Sequence, residues 1–409
     1  MRTRTALALV GVVLALGGVA AYGATQLGGG TLSERWVSDT ARDMQGNHHA
    51  PAVAEIDGET RVYAPVSGRA DTDECGLVAL DAGDGSTRWT HPVPPENCTV
   101  HAVADPAVAD LGGDGDRAVF AATTENVVSG FDPATGDEEF RHELSSYGYT
   151  RPIVADFAPG EGEEIVVADV QGELFVVHEN GTTAWSRELG MTWANPALAD
   201  FDGDGGEELV VGSAPAEGGA VTVLDGEGET VWERSTDHGV AWLTAGEVDG
   251  DPLAVAATTR GEVVAYEGDG NRTWRHDFGD YAAVNAVGDG DDDGTPEVYA
   301  VAKDGVLRSV DAESGDIEWE TTLTNADVQM MPPPALGDLD GDGSPELLAV
   351  GNDGSVSVVA PDSGEVLATY ERDVPIYKYP TLADIDDDGS DEAVVMYGDG
   401  RVAALDYSE

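Results

Sequence analysis

Four loops along the chain carry acidic residues at positions 1, 3, 5 and 9 and a glycine at position 6. Alternate side chains of such a loop place carboxylate oxygens around one point, and position 7 adds its backbone carbonyl. This donor set suits a hard cation such as Ca²⁺, which takes about six to eight oxygen ligands. The last acid opens a strand at position 9, so the loop is not an EF-hand. The predicted ligands are Asp200, Asp202, Asp204, Glu208, Asp289, Asp291, Asp293, Glu297, Asp338, Asp340, Asp342, Glu346, Asp384, Asp386, Asp388 and Glu392.

We therefore predict about four calcium sites, all on one face of the molecule. The alternative is a set of acidic loops without metal. Carboxylates this close repel one another unless a cation is present, and the same register occurs four times, which favours the metal. The related loops that begin at Asp110 and Asp156 have lost some of these acids, and the loops of the first and fifth units are shortened.

These loops belong to a repeat that occurs eight times, with units that begin at Pro51, Pro106, Pro152, Pro196, Leu243, Asn285, Pro334 and Pro380. The interval between units runs from 42 to 55 residues, which is the period of a propeller blade. Each unit contains four short β-rich segments separated by Gly, Asp and Asn clusters. The sequence predicts an all-β fold, an eight-bladed propeller with four-stranded antiparallel blades. One N-terminal hydrophobic helix precedes it, and almost no other helix is expected.

A second repeated signature lies between the third and fourth strands of a unit. It is an Asp-rich turn with a glycine, followed at fixed distance by an aromatic residue, as in residues 81–89, 132–140 and 311–319. Trp185, Trp232 and Trp274 stand at the same place in other units. A large flat ring once per unit is what docking one blade on the next requires, so we interpret these residues as inter-blade packing.

The combination resembles two propeller families over residues 35–409. The turn with its tryptophan is similar to the quinoprotein-like (PQQ-like) repeats, and the Asp-x-Asp-Gly-Asp-Gly loop is similar to the calcium-binding FG-GAP repeats of integrin α-subunit heads. Both motifs are specific for architecture and weak for function, because propellers include enzymes, receptors and scaffolds.

The N-terminus differs from the rest of the chain in composition. Arg2 and Arg4 precede an uncharged apolar run, Ala6 to Leu27, that is long enough to cross a bilayer. We predict a signal-anchor over residues 1–27, a linker over 28–34 and the propeller over 35–409. The predicted localisation is the cell membrane, with one N-terminal span and the propeller outside. A cleaved signal peptide and a secreted propeller are the alternative.

The two ends of the propeller are predicted to meet. The eighth unit has only three strands before Glu409, and the segment 33–40 carries Trp36 where a fourth strand would carry its aromatic residue. We predict that this segment completes the last blade, which removes an exposed sheet edge. The alternative places Trp36 in a linker.

The charge of the chain is extreme. The 409 residues include 20 basic and 79 acidic side chains, for a net charge of −59. Such acidity, with lysine nearly eliminated, is typical of proteins that work in concentrated salt, where self-repulsion is screened. It also argues against nucleic acid or an anionic membrane surface as a partner. The only membrane contact we expect is therefore through the N-terminal helix.

Two further pairs of residues could carry chemistry. Cys75 and Cys98 fall in connections that emerge on one face of the first blade, and an extracytoplasmic location favours a disulfide over two free thiols. His48 and His49 could bind a metal, although a solvated loop is the more ordinary interpretation of such a pair.

No pattern in the sequence predicts catalytic residues. The adjacent cysteines of a quinone-dependent dehydrogenase are absent, so no quinone is expected, and no Ser, His and Asp grouping has a recognised spacing. We therefore predict a calcium-stabilised binding or scaffolding module for a protein or glycan partner at the cell surface. The alternatives are a quinone-dependent oxidoreductase and a calcium-dependent polysaccharide-active enzyme.

The predicted ligand site is the end of the central channel opposite the acidic loops. First strands line the channel of a propeller, and the residues seven and five positions before each acidic loop fall near its mouth. Aromatic and polar side chains around a concavity suit a sugar ring or a partner's exposed chain, although many of them could instead pack between blades. The candidate residues are His48, Tyr149, Arg151, Trp193, Asn195, Trp242, Tyr377 and Tyr379, and the same columns contain Asp105 and Met331.

Overall fold

The computed structural model describes residues 29–160, 162–215 and 218–409. They form eight sheets, each of four antiparallel strands, arranged as the blades of a propeller. The first strands of neighbouring blades contact one another, so they surround the central channel and the fourth strands lie at the rim. The structure thus confirms the all-β, eight-bladed propeller with four-stranded antiparallel blades.

The chain enters the propeller through β1 (Thr31–Val37), which belongs to the last blade, and then builds the blades in order. Blades one to four consist of β2 (Ala52–Ile56), β3 (Glu59–Val66), β4 (Gly76–Asp81) and β5 (Thr87–Pro92); β6 (Ala107–Ala109), β7 (Ala118–Thr123), β8 (Val127–Phe131) and β9 (Glu138–Glu143); β10 (Ile153–Ala155), β11 (Glu164–Ala168), β12 (Glu173–His178) and β13 (Thr183–Glu188); and β14 (Ala197–Ala199), β15 (Glu208–Ser213), β16 (Gly219–Leu224) and β17 (Thr230–Thr236).

The second half of the ring repeats this order, and its last blade takes its rim strand from the N-terminus. Blades five to eight consist of β18 (Val240–Val248), β19 (Asp251–Thr258), β20 (Glu262–Glu267) and β21 (Arg272–Asp277); β22 (Ala282–Gly288), β23 (Glu297–Ala302), β24 (Val306–Asp311) and β25 (Ile317–Thr322); β26 (Ala335–Gly337), β27 (Glu346–Val350), β28 (Ser355–Val359) and β29 (Val366–Glu371); and β30 (Thr381–Ala383), β31 (Glu392–Met396) and β32 (Val402–Ser408) with β1.

The core lies between blades. Strands such as β11 and β15 are buried along their whole length, whereas the rim strand β25 alternates between exposed and half-buried residues. A strand whose two faces are both covered by neighbouring sheets is apolar at successive positions. Between blades four and five, for example, Val210 and Val223 pack in one cluster with Ala254 and Val264.

A tryptophan on the rim strand docks each of six blades on the next. Its indole N–H donates to a carbonyl in the neighbouring blade's turn, and the turn's glycine, at positive φ, lies under the ring. A side chain at Gly315, for instance, would collide with Trp274. The donor and acceptor pairs are Trp36 to Ala82, Trp89 to Pro133, Trp185 to Gly226, Trp232 to Gly268, Trp274 to Ala312 and Trp319 to Pro361.

The last blade combines both ends of the described chain. β1 pairs antiparallel with β32, so that Thr31 lies opposite Ser408 and Val37 opposite Ala403. The observed strand ends at Val37, earlier than the segment 33–40 anticipated from the sequence. The Trp36 indole N–H donates to the Ala82 carbonyl of blade one at 2.6 Å, which joins the last blade to the first.

The fold prediction was wrong in its helical element. The structure assigns no α-helix to residues 29–160, 162–215 or 218–409, where the one helical turn is the 3₁₀ segment η1 (Pro95–Asn97). The hydrophobic helix expected over residues 1–27 falls outside the described residues, so the structure gives it no support. In the part of the chain that is described, no helix could span a bilayer.

Candidate functional site

The first strand of each blade separates two different surfaces. The segments that precede the first strands form one end of the channel, which we call the channel mouth. The connections from first to second strands lie at the opposite end, which we call the loop face, and they include residues 200–208, 289–297, 338–346 and 384–392. Candidate ligand residues and candidate metal residues therefore lie at opposite ends of the channel.

A cavity of about 430 Å³ opens at the channel mouth. Five of the sequence-predicted ligand residues line it, and four of these are aromatic rings of Tyr or Trp. Sequence reasoning missed several others, which contribute a cation, an amide and apolar surface. The lining residues are Gly46, His48, Val100, Tyr149, Trp193, Ala241, Trp242, Tyr281, Gln329, Met330, Tyr377 and Lys378.

The other predicted ligand residues lie deeper in the channel. Arg151, Asn195 and Tyr379 line a second cavity of about 590 Å³, together with Asp105 and five of the six prolines that begin units. Met331 is fully buried in the core between blades, and its neighbour Met330 lines the mouth instead. In extended backbone successive side chains point to opposite sides, so a column read from sequence spacing can select the wrong member of a pair.

Asp105 is the centre of a buried polar network between the two cavities, and its side chain is 2% exposed. The ammonium of Lys378 lies 3.2 Å from Oδ2, and the Tyr379 hydroxyl donates to the same oxygen at 2.8 Å. The Asn195 amide donates to Oδ2 at 3.2 Å, and His49 Nδ1 lies 2.9 Å from Oδ1. A buried carboxylate with this many partners is held in one orientation.

The electrostatics of the network favour an ionised Asp105. Burial would raise the pKa of this carboxyl, but the Lys378 ammonium and the His49 hydrogen bond hold the pKa well below its usual range. Burial and the Asp105 charge raise the pKa of Tyr379, which stays protonated as a donor. Lys378 also lies over the rings of Trp242 and Tyr379, at 4.9 and 5.2 Å from their centroids.

Three histidines meet beside this network. His48 and His49 precede β2, and His101 precedes β6 in the next blade. Burial, reinforced by the neighbouring histidines, lowers the pKa of His48 to about 4 and that of His101 to about 3. These two rings are therefore neutral at physiological pH. They pack with the tyrosines at 147, 149 and 377.

Some of the missed residues carried a signal in the sequence. Lys378 is one of only two lysines in a chain with a net charge of −59. A lysine this rare in so acidic a chain indicates a specific interaction. His101 carried no such signal, because its partners His48 and His49 lie in another unit.

The acidic loops bring their predicted ligands together to different extents. In the sixth unit, oxygens of Asp289, Asp291, Asp293 and Glu297 all lie within 4.8 Å of one another. In the other three loops one predicted ligand stays outside the corresponding group. That ligand is Glu208 in the fourth unit, Asp342 in the seventh and Asp388 in the eighth.

The glutamate at position 9 also has a structural role. Glu297 Oε2 accepts the N–H of Gly290 at 3.0 Å, and Glu346 accepts the N–H of Leu339 at 2.8 Å. Glu164 of the degraded third loop accepts the N–H of Phe157 at 3.1 Å in the same way. Burial raises the pKa of Glu297, Glu346 and Glu392 to about 7, as expected for partly buried carboxyl groups.

The eighth loop differs from the others because Arg35 reaches it from β1. The guanidinium contacts Asp386, lies 2.9 Å from Glu392 Oε1 and lies 3.1 Å from Asp406 Oδ1. A protein cation therefore occupies part of the space in which these acids would bind a metal.

The structure confirms the predicted disulfide. Cys75 and Cys98 are bonded, with their Cα atoms 5.4 Å apart. The bond joins the β3–β4 connection to the segment that leads into β6, and it lies just before Val100 and His101 in the chain. It therefore ties down a segment of the channel mouth.

The sequence matches a known family over nearly its whole length. The profile described as outer membrane protein assembly factor BamB matches residues 11–158, 75–240, 126–277 and 217–409. Comparison with curated proteins gave no match. The family match confirms the resemblance to quinoprotein-like repeats, whereas the resemblance to FG-GAP repeats stays a prediction.

Several solved structures share the fold. BamB from Moraxella catarrhalis is 16% identical, with a TM-score of 0.61, and the alignment covers 92% of this chain and 98% of that one. The computationally designed Ika8 protein is 14% identical, with a TM-score of 0.65 and coverage of 92% and 100%. BBS1N, crystallised in complex with ARL6DN, is 12% identical, with a TM-score of 0.51 and coverage of 73% and 90%.

Proposed function

The chain belongs to the family described as outer membrane protein assembly factor BamB, and from this we propose that it is a protein-binding scaffold of the cell envelope. Its predicted N-terminal span would tether the propeller outside the membrane. The disulfide supports an oxidising compartment. A secreted form, released by cleavage of the N-terminus, is the second possibility for its location.

The observation that carries the proposal is the aromatic cavity at the channel mouth. Tyr149, Trp193 and Tyr377 are half-buried there, so each ring is held in place and keeps a free surface. Large rigid aromatics around a concavity are typical binding hot spots. Gln329 and Lys378 add polar groups that could orient a bound chain. The site fits an extended partner segment with an apolar side chain that enters the cavity.

A glycan is the second candidate ligand, because the same aromatic faces would stack on sugar rings. No arrangement of the described residues favours either enzymatic alternative. The two cysteines of the chain are bonded to each other rather than adjacent in sequence, and the charged residues that converge at the mouth are engaged with one another in the Asp105 network.

We propose calcium as the structural cation of the loop face. The clustered oxygens in the fourth, sixth, seventh and eighth units support this, and the raised pKa of the position-9 glutamates fits loops that need a positive charge. We expect the complete cluster of the sixth unit to bind Ca²⁺ most tightly. The eighth should bind it most weakly, because Arg35 already neutralises part of its charge.

The binding proposal is tested with a photo-reactive amino acid in place of Gln329, which lines the mouth. In native membranes we expect it to cross-link to a small set of envelope proteins, and the double variant Trp193→Ala/Tyr377→Ala should remove those products. The melting temperature should change little, because both rings are only half-buried.

The matched control is Val231→Ala/Ile317→Ala, which removes apolar groups that are 39% exposed at the rim. It should leave the cross-links unchanged. Cross-linking that survives the mouth variant would place the binding site elsewhere. Binding of the wild-type mouth to a carbohydrate array, lost in the same variant, would replace the protein partner by a glycan.

A further inference from the structure

Three imidazoles from two blades converge at the edge of the channel mouth. The ring nitrogens of His48, His49 and His101 include one atom from each residue that lies within 4.8 Å of the other two. The His48 ring centroid lies 4.2 Å from that of His101 and 5.5 Å from that of His49. Three nitrogen donors this close are the protein ligand set of many divalent transition-metal sites.

Hydrogen bonds orient two of these rings in the way that metal-bound histidines are oriented. His49 Nδ1 lies 2.9 Å from the Asp105 carboxylate, and His48 Nδ1 lies 2.5 Å from the Gly46 carbonyl. Both partners only accept hydrogen bonds, because Asp105 is paired with the Lys378 ammonium. Each Nδ1 is therefore the donor nitrogen, which leaves Nε2 as the nitrogen that can bind a metal. A carboxylate or carbonyl behind the imidazole is the usual outer partner of a metal ligand.

Two nitrogens of the cluster are buried without a hydrogen-bond partner among the described residues. They are Nε2 of His49, whose side chain is 1% exposed, and Nδ1 of His101. Buried polar atoms are almost always satisfied, and an orphan indicates a missing water or ion. Packing of the rings against tyrosines accounts for their burial but not for these unpartnered nitrogens.

We infer that His48, His49 and His101 bind one divalent transition-metal ion, with Zn²⁺ the best fit to neutral imidazole nitrogens. Three histidines leave one position of a tetrahedral ion for water or for a donor group from outside. His48 lines the mouth cavity, so the ion would border the cavity. The site differs from the loop face in both position and chemistry, since those loops offer carboxylate oxygens to hard cations.

The test uses the folded protein, freed of metal and then saturated with Ca²⁺ so that the acidic loops are filled. Titration with Zn²⁺ should show one tight equivalent per chain. Cu²⁺ bound in its place should give an electron paramagnetic resonance spectrum with couplings to several nitrogens, which carboxylate loops cannot produce. A spectrum without nitrogen couplings, or no Zn²⁺ binding, would overturn the inference.

Variants locate the ion. His49→Gln and His101→Gln should each weaken Zn²⁺ binding roughly tenfold or more, since loss of even an outer partner of a ligand costs that much. His238→Gln, at an exposed position, should not change it. Circular dichroism and formation of the Cys75–Cys98 bond check that each variant is folded. If one variant does not fold, the Zn²⁺ affinity of the other variant and the Cu²⁺ spectrum of the wild type decide whether the histidines bind the ion. Equal Zn²⁺ affinity in wild type and a folded site variant would show that the ion binds elsewhere.

Discussion

Asp105 is the residue on which the chemistry of the channel mouth depends. Its two oxygens interact with five groups, which belong to three other blades of the propeller. These groups are His49 Nδ1, the Ala50 amide, the Asn195 amide, Lys378 Nζ and the Tyr379 hydroxyl. Because the partners come from opposite sides of the ring, the network holds the first strands at a fixed distance across the channel.

The two lysines of the chain test this role. Lys378→Met would leave the Asp105 carboxylate buried without its counter-charge, and breaking a buried pair in this way costs about 3–5 kcal/mol of stability. Lys303→Met removes the same charge from a pair that is 35% and 50% exposed, which is worth about 1 kcal/mol or less. Urea unfolding at constant salt measures both values. Equal losses in the two variants would mean that the network does not stabilise the channel.

The position-9 glutamates predict how the metal-free protein responds to pH. The pKa of Glu346 is about 7 in the folded protein against an ordinary value of 4.5. Between these values the folded state binds more protons than the unfolded state, so this group's contribution to the free energy of unfolding falls as pH rises. When both proteins are treated with a chelator, the free energy of unfolding of Glu346→Gln should fall less than that of wild type between about pH 4.5 and about pH 7.

Calcium should remove this difference, because the ion favours the ionised carboxylates. The measurement is urea unfolding across the pH window, with and without Ca²⁺. The control is Glu313→Gln at an exposed turn position, which should follow the wild-type profile. Identical profiles for chelated wild type and Glu346→Gln would argue against this role for the loop glutamates.

At the scale of elements, the rim strand and the turn before it form the joint between blades. The turn's glycine leaves room for the preceding blade's tryptophan, whose indole N–H reaches a carbonyl of the same turn. Blade two carries Phe140 at this place, which packs near Gly181 but has no N–H to donate. The joint from blade two to blade three therefore keeps the aromatic ring but lacks the indole hydrogen bond.

We expect the Trp36 joint between the last and first blades to contribute as much to stability as the corresponding joint between other blades. Trp36 is 6% exposed and Trp89 is 9% exposed, and both donate to the next blade. We expect Trp36→Ala and Trp89→Ala each to cost about 3–5 kcal/mol, as buried Trp truncations do. Urea unfolding compares them. If Trp36→Ala unfolds like wild type while Trp89→Ala is destabilised, the N-terminal strand does not close the ring energetically.

At the scale of the whole molecule, the net charge of −59 dominates. Carboxylates cover the loop face and the turns, whereas the mouth combines aromatic rings with one of the two lysines. The propeller thus separates a strongly hydrated acidic surface from a less charged concave one. In concentrated salt, where long-range attraction is screened, a partner would be recognised by shape and apolar contact at the mouth.

Stability should therefore depend on salt. The screening length grows from roughly 3 Å at 1 M to roughly 10 Å at 0.1 M, so dilution restores repulsion between the carboxylates. We expect the melting temperature to fall steadily when NaCl is lowered over this range at constant Ca²⁺. Sucrose raises the melting temperature by exclusion from the protein surface but does not screen charge, so a constant sucrose concentration should leave the dependence on NaCl in place. A melting temperature independent of salt would show that the acidity has another role.

The sequence alone determined the features that repeat locally. Eight units, four strands per unit and the tryptophan at the rim all follow from side chains close together in the chain, and neighbouring blades reproduce the same contacts. The disulfide was also predictable, since Cys75 and Cys98 lie in connections of one blade. The N-terminal hydrophobic helix was the part of the fold prediction that the structure did not support.

Only the tertiary structure decided the details of the sites, because their contacts join residues far apart in the chain. Arg35 contacts Asp386 and Glu392 within the last blade, which combines the two ends of the propeller sequence. Lys378 pairs with Asp105 across the channel. His101 joins the pair at 48 and 49 from another blade. No local period encodes such encounters, since they depend on how many blades close the ring and on which side of each strand faces the channel.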